Sequence, residues 1–180
     1  QLLGARWYWA GDLGLELVGD AADKFPEDRW AEEPAYVMRT FYPVNGDFGR
    51  RNRLVRRYEF NHALAKVFSP ALYEQEPEVF SEVYGRRRKP KGNGAYDPQP
   101  DFSEPRAVEV AAAAALACFE THPERRSFSL SINDNALFDD SEATRALVEP
   151  VDYFRGRPNY TDLVFGFMNA VAAKVFEEGG

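Results

Sequence analysis

The sequence feature that most constrains the fold is the segment 127–135, SFSLSINDN. Phe128, Leu130 and Ile132 alternate with serines, and this period of two predicts a β-strand that ends in three short polar residues. An alanine-rich helical segment precedes the strand, and a long helical segment follows it. A strand between helices predicts a parallel sheet, and such sheets carry their chemistry at the carboxyl ends of the strands. The segment therefore predicts an α/β fold with a site at its polar end.

Three strand–helix units are predicted over residues 36–58, 59–84 and 127–178, with a further helix before the third strand. We expect the three strands to be parallel neighbours in one sheet, with the helices outside. Ser103 and Asn159 are the predicted caps of the two longest helices. A closed (β/α)8 TIM-type barrel needs about 250 residues, so the units amount to about half of one. The predicted architecture is therefore the first half of a (β/α)8 barrel.

Residues before position 35 predict a division of the chain. Residues 6–9 predict a short aromatic strand, and residues 10–14 predict a turn with two glycines. Residues 20–34 are acidic and interrupted by two prolines, which is typical of a linker. The chain begins with Gln1 and in mid-pattern, so we expect it to be a piece of a longer protein. The predicted segments are 1–19, a linker at 20–34 and a barrel domain at 35–180.

The composition argues against several classes of partner and site. A net charge of −7 argues against a general binder of nucleic acids or anionic membranes. The single cysteine, Cys118, excludes an internal disulfide and a cysteine metal cluster. No stretch resembles a signal peptide or a membrane span. We predict no metal, no cofactor, and neither a nucleic-acid nor a membrane partner.

Two segments are rich in arginine. Residues 49–58 predict a helix whose five arginines form a solvated face with ion pairs to nearby carboxylates, although such a block also fits nucleic-acid binding. Residues 77–84 predict a short helix, and residues 85–102 predict a long loop with a second arginine cluster. A loop of that length in a compact domain is usually functional or mobile.

Polar residues at the ends of the predicted strands are the site candidates. Asp134 is the candidate catalytic carboxylate, and Asn133 and Asn135 are candidate substrate-binding amides beside it. The competing interpretation is that the three side chains only cap a turn through hydrogen bonds to the backbone. The sequence alone leaves both interpretations open.

Three further residues are candidate substrate contacts. Arg39 lies in the middle of a predicted strand, where a cation needs a carboxylate partner or a binding site. Asn61 and His62 lie near the end of the second predicted strand, although a lone histidine is commonly a structural hydrogen-bonding residue. Because parallel strands place their carboxyl ends on one face, we expect these residues and Asp134 to share one cleft.

The segments GARWYWAGDLG, YVMRTFY, NHALAKVFSPALYEQEPEVFSEVYGRR, SFSLSINDN and PNYTDLVFGFMNAVA occur in that order. Together they make the chain resemble, over most of its length, the bacterial domain-of-unknown-function family 4838. Members look like glycoside hydrolases, with an α-glucuronidase-like amino-terminal domain followed by a (β/α)8 barrel. The resemblance implies that residues 1–19 end an amino-terminal α/β domain and that Tyr36 onward forms the first half of the barrel. It also implies that His62 and Asp134 fall on polar strand ends of the family. A cysteine cluster that follows the aspartate in some members is replaced here by LFDDSEA.

The leading hypothesis is a carbohydrate-active enzyme, a glycoside hydrolase acting on a polysaccharide-derived or uronic-acid-containing sugar. Such hydrolases usually need two carboxylates about 5–9.5 Å apart. Asp134 supplies one, and we expect the second beyond Gly180, so that this chain alone is inactive. The alternative is a non-catalytic glycan-binding barrel with Arg39, His62 and Asp134 as ligand contacts. A metal-assisted hydrolase using His62 and Asp134 is a weaker hypothesis, since a third ligand is missing. The predicted partner is a carbohydrate ligand, and the resemblance is compatible with export.

Overall fold

The computed structural model describes residues 5–17, 35–40, 46–55, 58 and 62–179. The chain divides into two compact units, Gln1–Tyr58 and Glu59–Gly180. The predicted linker at 20–34 lies outside the described residues, so the predicted domain limits stay a prediction.

The first unit contains a short antiparallel hairpin. Strand β1, Ala5–Trp7, pairs with β2, Leu15–Leu17, and a 3₁₀ turn at Asp12–Gly14 connects them. A side chain on Gly14 would place its Cβ 2.2 Å from the carbonyl oxygen of Trp9, so only glycine fits at this position. The aromatic strand and the glycine turn predicted from the sequence are confirmed.

The arginine-rich helix of the first unit is shorter than predicted. Helix α1 spans Gly46–Arg51, whereas the sequence predicted a helix over residues 49–58. The helix ends because Arg53 adopts a left-handed backbone with a φ of 56°, which an α-helix does not contain. The chain then returns, and Val55 pairs antiparallel with Arg39 through N···O distances of 2.7 and 2.9 Å.

The second unit is mainly helical in its described part. Its helices are α2 Leu64–Val67, α3 Pro70–Tyr73, α4 Pro105–Thr121, α5 Glu142–Val148 and α6 Thr161–Gly179. Two-residue strands β3, Tyr153–Phe154, and β4, Arg157–Pro158, pair antiparallel. Short 3₁₀ turns occur at Pro77–Val79 and Gly94–Tyr96. Across the described residues, every helix is too short or too polar to span a bilayer.

The core of the second unit lies where α4 packs on α6. The buried face of α4 is made of alanines, with Ala107, Ala111 and Ala112 fully buried, so the helices approach closely. From α6, Phe167 inserts its ring 5.0 Å from that of Phe102. Burying one such large apolar side chain contributes about 1.5–3 kcal/mol. The helical spacing of apolar residues predicted both helices, and the structure confirms them.

The two long helices differ in how well their caps were predicted. At α6, Asn159 accepts a hydrogen bond from the first backbone N–H of the helix at 3.0 Å, as predicted. At α4 the prediction that Ser103 caps the helix is wrong. Glu104 caps the helix by accepting from the Arg106 N–H at 3.0 Å. Ser103 is instead held by Asp101, which accepts hydrogen bonds from its backbone N–H at 2.9 Å and its hydroxyl at 2.6 Å.

The segment 127–133, predicted as the central strand, has no regular secondary structure. Its serines explain this, because the Ser131 N–H donates to Ser129 Oγ at 3.3 Å and thereby competes with pairing to a neighbouring strand. The segment still lies beside α2, since the Leu64 N–H donates to the Ser131 carbonyl at 3.3 Å. Among the described residues the strands form two antiparallel pairs, and the barrel stays a prediction.

A tight hairpin turn at residues 83–86 replaces the helix predicted over residues 77–84. Tyr84 and Gly85 have φ values of 56° and 68°, and a type I′ turn requires positive φ at both central positions. The Val83 N–H donates to the Arg86 carbonyl at 2.9 Å. This turn defines the start of the 86–91 loop, which reads RRRKPK.

Candidate functional site

Asn133, a predicted substrate-binding residue, is buried in an amide network with Gln99. Its backbone N–H donates to Gln99 Oε1 at 2.9 Å, and its carbonyl accepts from Gln99 Nε2 at 2.8 Å. Its own Nδ2 donates to the carbonyls of Asp97 at 3.0 Å and Pro98 at 2.9 Å. With 3% of its surface exposed, Asn133 connects two segments of backbone and has no room to contact a ligand directly.

Asn135 completes the same network. Its Nδ2 donates to the Asp97 carbonyl at 2.6 Å, and its Oδ1 accepts from the Leu137 N–H at 2.9 Å. The two asparagines therefore fasten the segment 133–137 to the segment 95–99. The capping interpretation describes their observed contacts better than the ligand-binding one.

Asp134 lies between these asparagines and has different surroundings. Its backbone N–H donates to the Ala95 carbonyl at 2.7 Å, and its side chain is exposed. Among the described residues, its carboxylate has no hydrogen-bond or ion-pair partner. Asp134 is thus anchored through its backbone, and its carboxylate is free to meet a ligand.

His62 lies near the same segment. Its Nδ1 donates to the Ile132 carbonyl at 2.8 Å, which leaves Nε2 as the ring nitrogen available to another partner. The backbone φ of 36° places His62 in the left-handed region, where few non-glycine residues occur. The histidine therefore fixes the chain just before Asn133, in addition to any contact that Nε2 makes.

The structure does not test whether the remaining two predicted contacts, Arg39 and Asn61, lie with this group. Arg39 belongs to the first unit, where its backbone pairs with Val55, and its side chain is half-buried. Asn61 lies outside the described residues. The expectation that both share a cleft with Asp134 stays a prediction.

An open cleft of about 450 Å³ lies beside this segment. Its lining comprises residues 86–89, 91, 93, 96–98 and 137. Asp97 and Pro98, which receive the hydrogen bonds of Asn133, form one wall, and Tyr96 presents a ring that is 74% exposed. The predicted site residues do not themselves line the cleft, but the two asparagines hold its wall.

The other wall is the 86–91 loop, and one buried and one half-buried aspartate anchor the hairpin turn that begins it. Asp139, which is 2% exposed, accepts from the Glu82 N–H at 2.5 Å and also from the Ser141 N–H at 3.0 Å. Asp140 accepts from the Tyr84 N–H at 3.0 Å, and its own N–H donates to the Glu82 carbonyl at 2.8 Å. These two aspartates therefore hold the scaffold of this wall. Residues 86–89 and 91 are all cations, so the loop 86–91 forms a basic wall.

Five of the lining side chains are cations, and one is a carboxylate. Arg87 is committed to the fold, since Nη1 donates to the carbonyls of Glu78 at 2.8 Å and Phe80 at 2.5 Å. Lys89 forms an ion pair with Glu74. The only carboxylate of the lining, Asp97, is 3% exposed and accepts the Lys91 N–H at 2.8 Å.

A further buried carboxylate lies behind the basic wall. Burial raises the pKa of Asp101 above its ordinary value, the hydrogen bonds from Ser103 oppose this rise, and the negative charge of Asp139 adds to it. Arg87 Nη1 lies 4.0 Å from Asp101 Oδ2, which lowers the pKa slightly. The negative charge behind the loop is therefore partly neutralised by a cation that is already bound to the backbone.

No group of three or more His, Cys, Asp or Glu side chains comes together to form a metal site within the part of the chain that the structure describes. The metal-assisted hypothesis for His62 and Asp134 therefore gains no third ligand there.

A family model described as "Domain of unknown function (DUF4838)" matches residues 21–179. The chain belongs to this family. The resemblance predicted from the sequence is thus confirmed, and the match covers all of the cleft and of the segment 133–135. No curated protein and no solved structure matches the chain.

Sequence reasoning missed two groups of residues in this DUF4838 chain. Gln99 was missed because its role is to hydrogen-bond the backbone of Asn133, which lies 34 positions away in the sequence. The basic wall had a visible signal, since RRRKPK places five cations in six positions of a predicted long loop. Only the fold shows that these cations face a cleft.

Proposed function

We propose that this chain is part of a carbohydrate-active protein, a glycoside hydrolase acting on a polysaccharide-derived or uronic-acid-containing sugar. The supporting observation is the 450 Å³ cleft, whose volume lies within the range of small-molecule sites. Its lining contains both hydrogen-bonding side chains and the exposed ring of Tyr96. This combination suits sugars, which offer both hydroxyl groups and apolar ring faces.

Asp134 is the proposed catalytic carboxylate of this function. Its anchoring to Ala95, next to Tyr96 of the cleft, supports this role, as does the exposure of its side chain. A carboxylate held by its backbone alone keeps its oxygens free for proton transfer or attack.

A second candidate function is non-catalytic glycan binding. The observation that favours it is the commitment of the neighbouring amides of Asn133 and Asn135 to internal hydrogen bonds. A glycosidase also needs a second carboxylate, and Asp97, the carboxylate of the cleft lining, is buried.

Calorimetric titration with neutral and uronate-containing oligosaccharides tests both functions, together with an assay for newly released reducing ends. In the full-length protein, we expect Asp134→Asn to lower turnover or sugar affinity at least tenfold, about 1.4 kcal/mol. Its melting temperature should stay unchanged, as for the control Asp162→Asn, another exposed aspartate. If the variant melts early and retains binding, Asp134 is only a cap. If no oligosaccharide binds, the proposed function is wrong.

A further inference from the structure

We infer that the basic wall of the cleft is an anion-recognition subsite, which takes a carboxylate or sulfate group carried by a glycan. Arg86, Arg88 and Lys91 are the residues assigned to it. This inference rests on the proposed function for the class of ligand, and on the hydrogen bonds and charges of the 86–91 loop for the anionic group.

The five cations of the loop separate into two kinds. Arg87 and Lys89 are occupied by backbone carbonyls and by Glu74, respectively. Arg86 and Lys91 are exposed, and within the described residues their charged groups have neither a hydrogen-bond nor an ion-pair partner. An unpaired cation beside other cations is electrostatically unfavourable, and an anionic ligand removes that repulsion.

Arg88 is the best placed of the three for directional binding. Its Nε donates to the Val83 carbonyl at 3.2 Å, which fixes the guanidinium and leaves the four N–H bonds of Nη1 and Nη2 for other acceptors. A guanidinium held in this way loses little further conformational entropy when it binds. Its planar pair of donors matches the two oxygens of a carboxylate or a sulfate.

The scaffold of the wall is held by hydrogen bonds within the protein itself. The hairpin turn at residues 83–86 is held by the carboxylates of Asp139 and Asp140, and the Arg88 N–H donates to the Ser81 carbonyl at 2.9 Å. The buried carboxylate of Asp97 accepts the Lys91 N–H and thereby fixes the far end of the loop. We therefore expect ligand binding to carry only a small entropic cost for ordering the loop.

The charge of the whole chain favours a short acidic glycan over nucleic acid. A net charge of −7 repels an extended polyanion, whereas a local group of cations can bind one or two anionic groups. The lining also offers one tyrosine, where proteins that bind single-stranded nucleic acids present several stacked aromatic side chains.

The experiment compares ligands that differ only in charge. A hexuronate tetrasaccharide, its methyl ester and a sulfated neutral tetrasaccharide are titrated into the full chain by calorimetry, with inorganic sulfate and a short single-stranded oligonucleotide as further probes. We expect the hexuronate or the sulfated sugar to bind at least about tenfold more tightly than the uncharged ester, which is the expected contribution of one or two charged hydrogen bonds. The difference should shrink as salt is added.

Two matched double variants assign the effect to the wall. Arg86→Gln with Lys91→Gln removes two cations whose charged groups form no hydrogen bond or ion pair among the described residues, so folding should be preserved. The control, Arg126→Gln with Lys66→Gln, removes the same charges from exposed positions outside the cleft. The first pair should abolish the preference for the charged sugar, and the second should leave it intact. Arg88→Lys, which keeps the charge but loses the paired donors, should give an intermediate loss.

The outcomes separate the inference from the proposed function. Equal binding of the hexuronate and its ester overturns the inference and leaves carbohydrate binding in place. Loss of preference in both double variants also overturns it, since the effect would then come from net charge. Tightest binding of the oligonucleotide overturns it in favour of nucleic-acid binding. If no sugar binds but inorganic sulfate does, the site takes only small anions, and both the glycan assignment and the proposed function are wrong.

Discussion

Arg86 lines the cleft and Asn133 lies behind its Asp97–Pro98 wall, and the two side chains differ in how far the fold uses their nitrogen atoms for hydrogen bonds. Asn133 is buried, and its backbone groups and amide nitrogen make four hydrogen bonds to Gln99 and to the Asp97–Pro98 wall. Arg86 is exposed, and its guanidinium has no partner among the described residues. The difference shows that a run of polar residues predicts a site only when the fold leaves the polar groups unpaired.

The same comparison holds inside the segment 133–135. Asn133 and Asn135 are committed to the fold, whereas Asp134, between them, is held only through its backbone. A single turn can therefore combine structural side chains with an available one. The burial of each residue, which sequence alone does not give, decides which is which.

The largest expected effect on stability comes from removing the buried side chain of the pair, Asn133. Asn133→Ala removes the two bonds from Nδ2. The Pro98 carbonyl then loses its hydrogen bond inside the protein, whereas the Asp97 carbonyl keeps the bond from Asn135 Nδ2, and we expect a loss of about 2 kcal/mol in the free energy of unfolding. Asp134→Ala should change that free energy by less than about 0.5 kcal/mol, because its exposed side chain has no hydrogen bond or ion pair to lose among the described residues. Urea denaturation followed by circular dichroism measures both values. Equal losses in the two variants would contradict the proposed division of roles.

The second prediction applies the comparison within the basic wall. Arg87→Gln loses the bonds to the Glu78 and Phe80 carbonyls, and we expect a loss of about 1–2 kcal/mol in stability. Arg86→Gln removes the same charge without removing a bond, so its stability should stay within about 0.5 kcal/mol of the parent. Both values come from urea midpoints at constant salt. A stabilised Arg87→Gln would mean that repulsion within the loop outweighs its hydrogen bonds.

Local signals predicted the parts of the fold in which neighbours along the chain decide the structure. The helical spacing of apolar residues predicted α4 and α6, and Asn159 predicted the start of α6. In each case the deciding contact is a cap or a helical face within a few residues.

The failures have physical causes that depend on distant residues or on side-chain competition. The segment 127–133 alternates like a strand, but Ser129 bonds the backbone of Ser131 and replaces a ladder bond. The hairpin turn at Tyr84 and Gly85 was missed, because tyrosine rarely adopts positive φ without support. Here Asp140, 56 positions away, accepts the Tyr84 N–H and supplies that support.

The smallest expected effect concerns Asp101, the buried carboxylate behind the basic wall. Because its pKa is raised in the folded state, the folded protein binds this proton more tightly than the unfolded chain does. The free energy of unfolding should therefore fall as pH rises from the ordinary aspartate value of about 3.9 through the raised pKa, and this contribution should be constant above it. Asp101→Asn keeps an oxygen that accepts from Ser103 and removes the titration. The stability of this variant relative to the parent should therefore rise with pH across that window. Urea denaturation at a series of pH values measures the difference between Asp101→Asn and the parent. A relative stability that instead falls with pH would show that the attraction between Asp101 and Arg87, 4.0 Å apart, outweighs the cost of burying the charge.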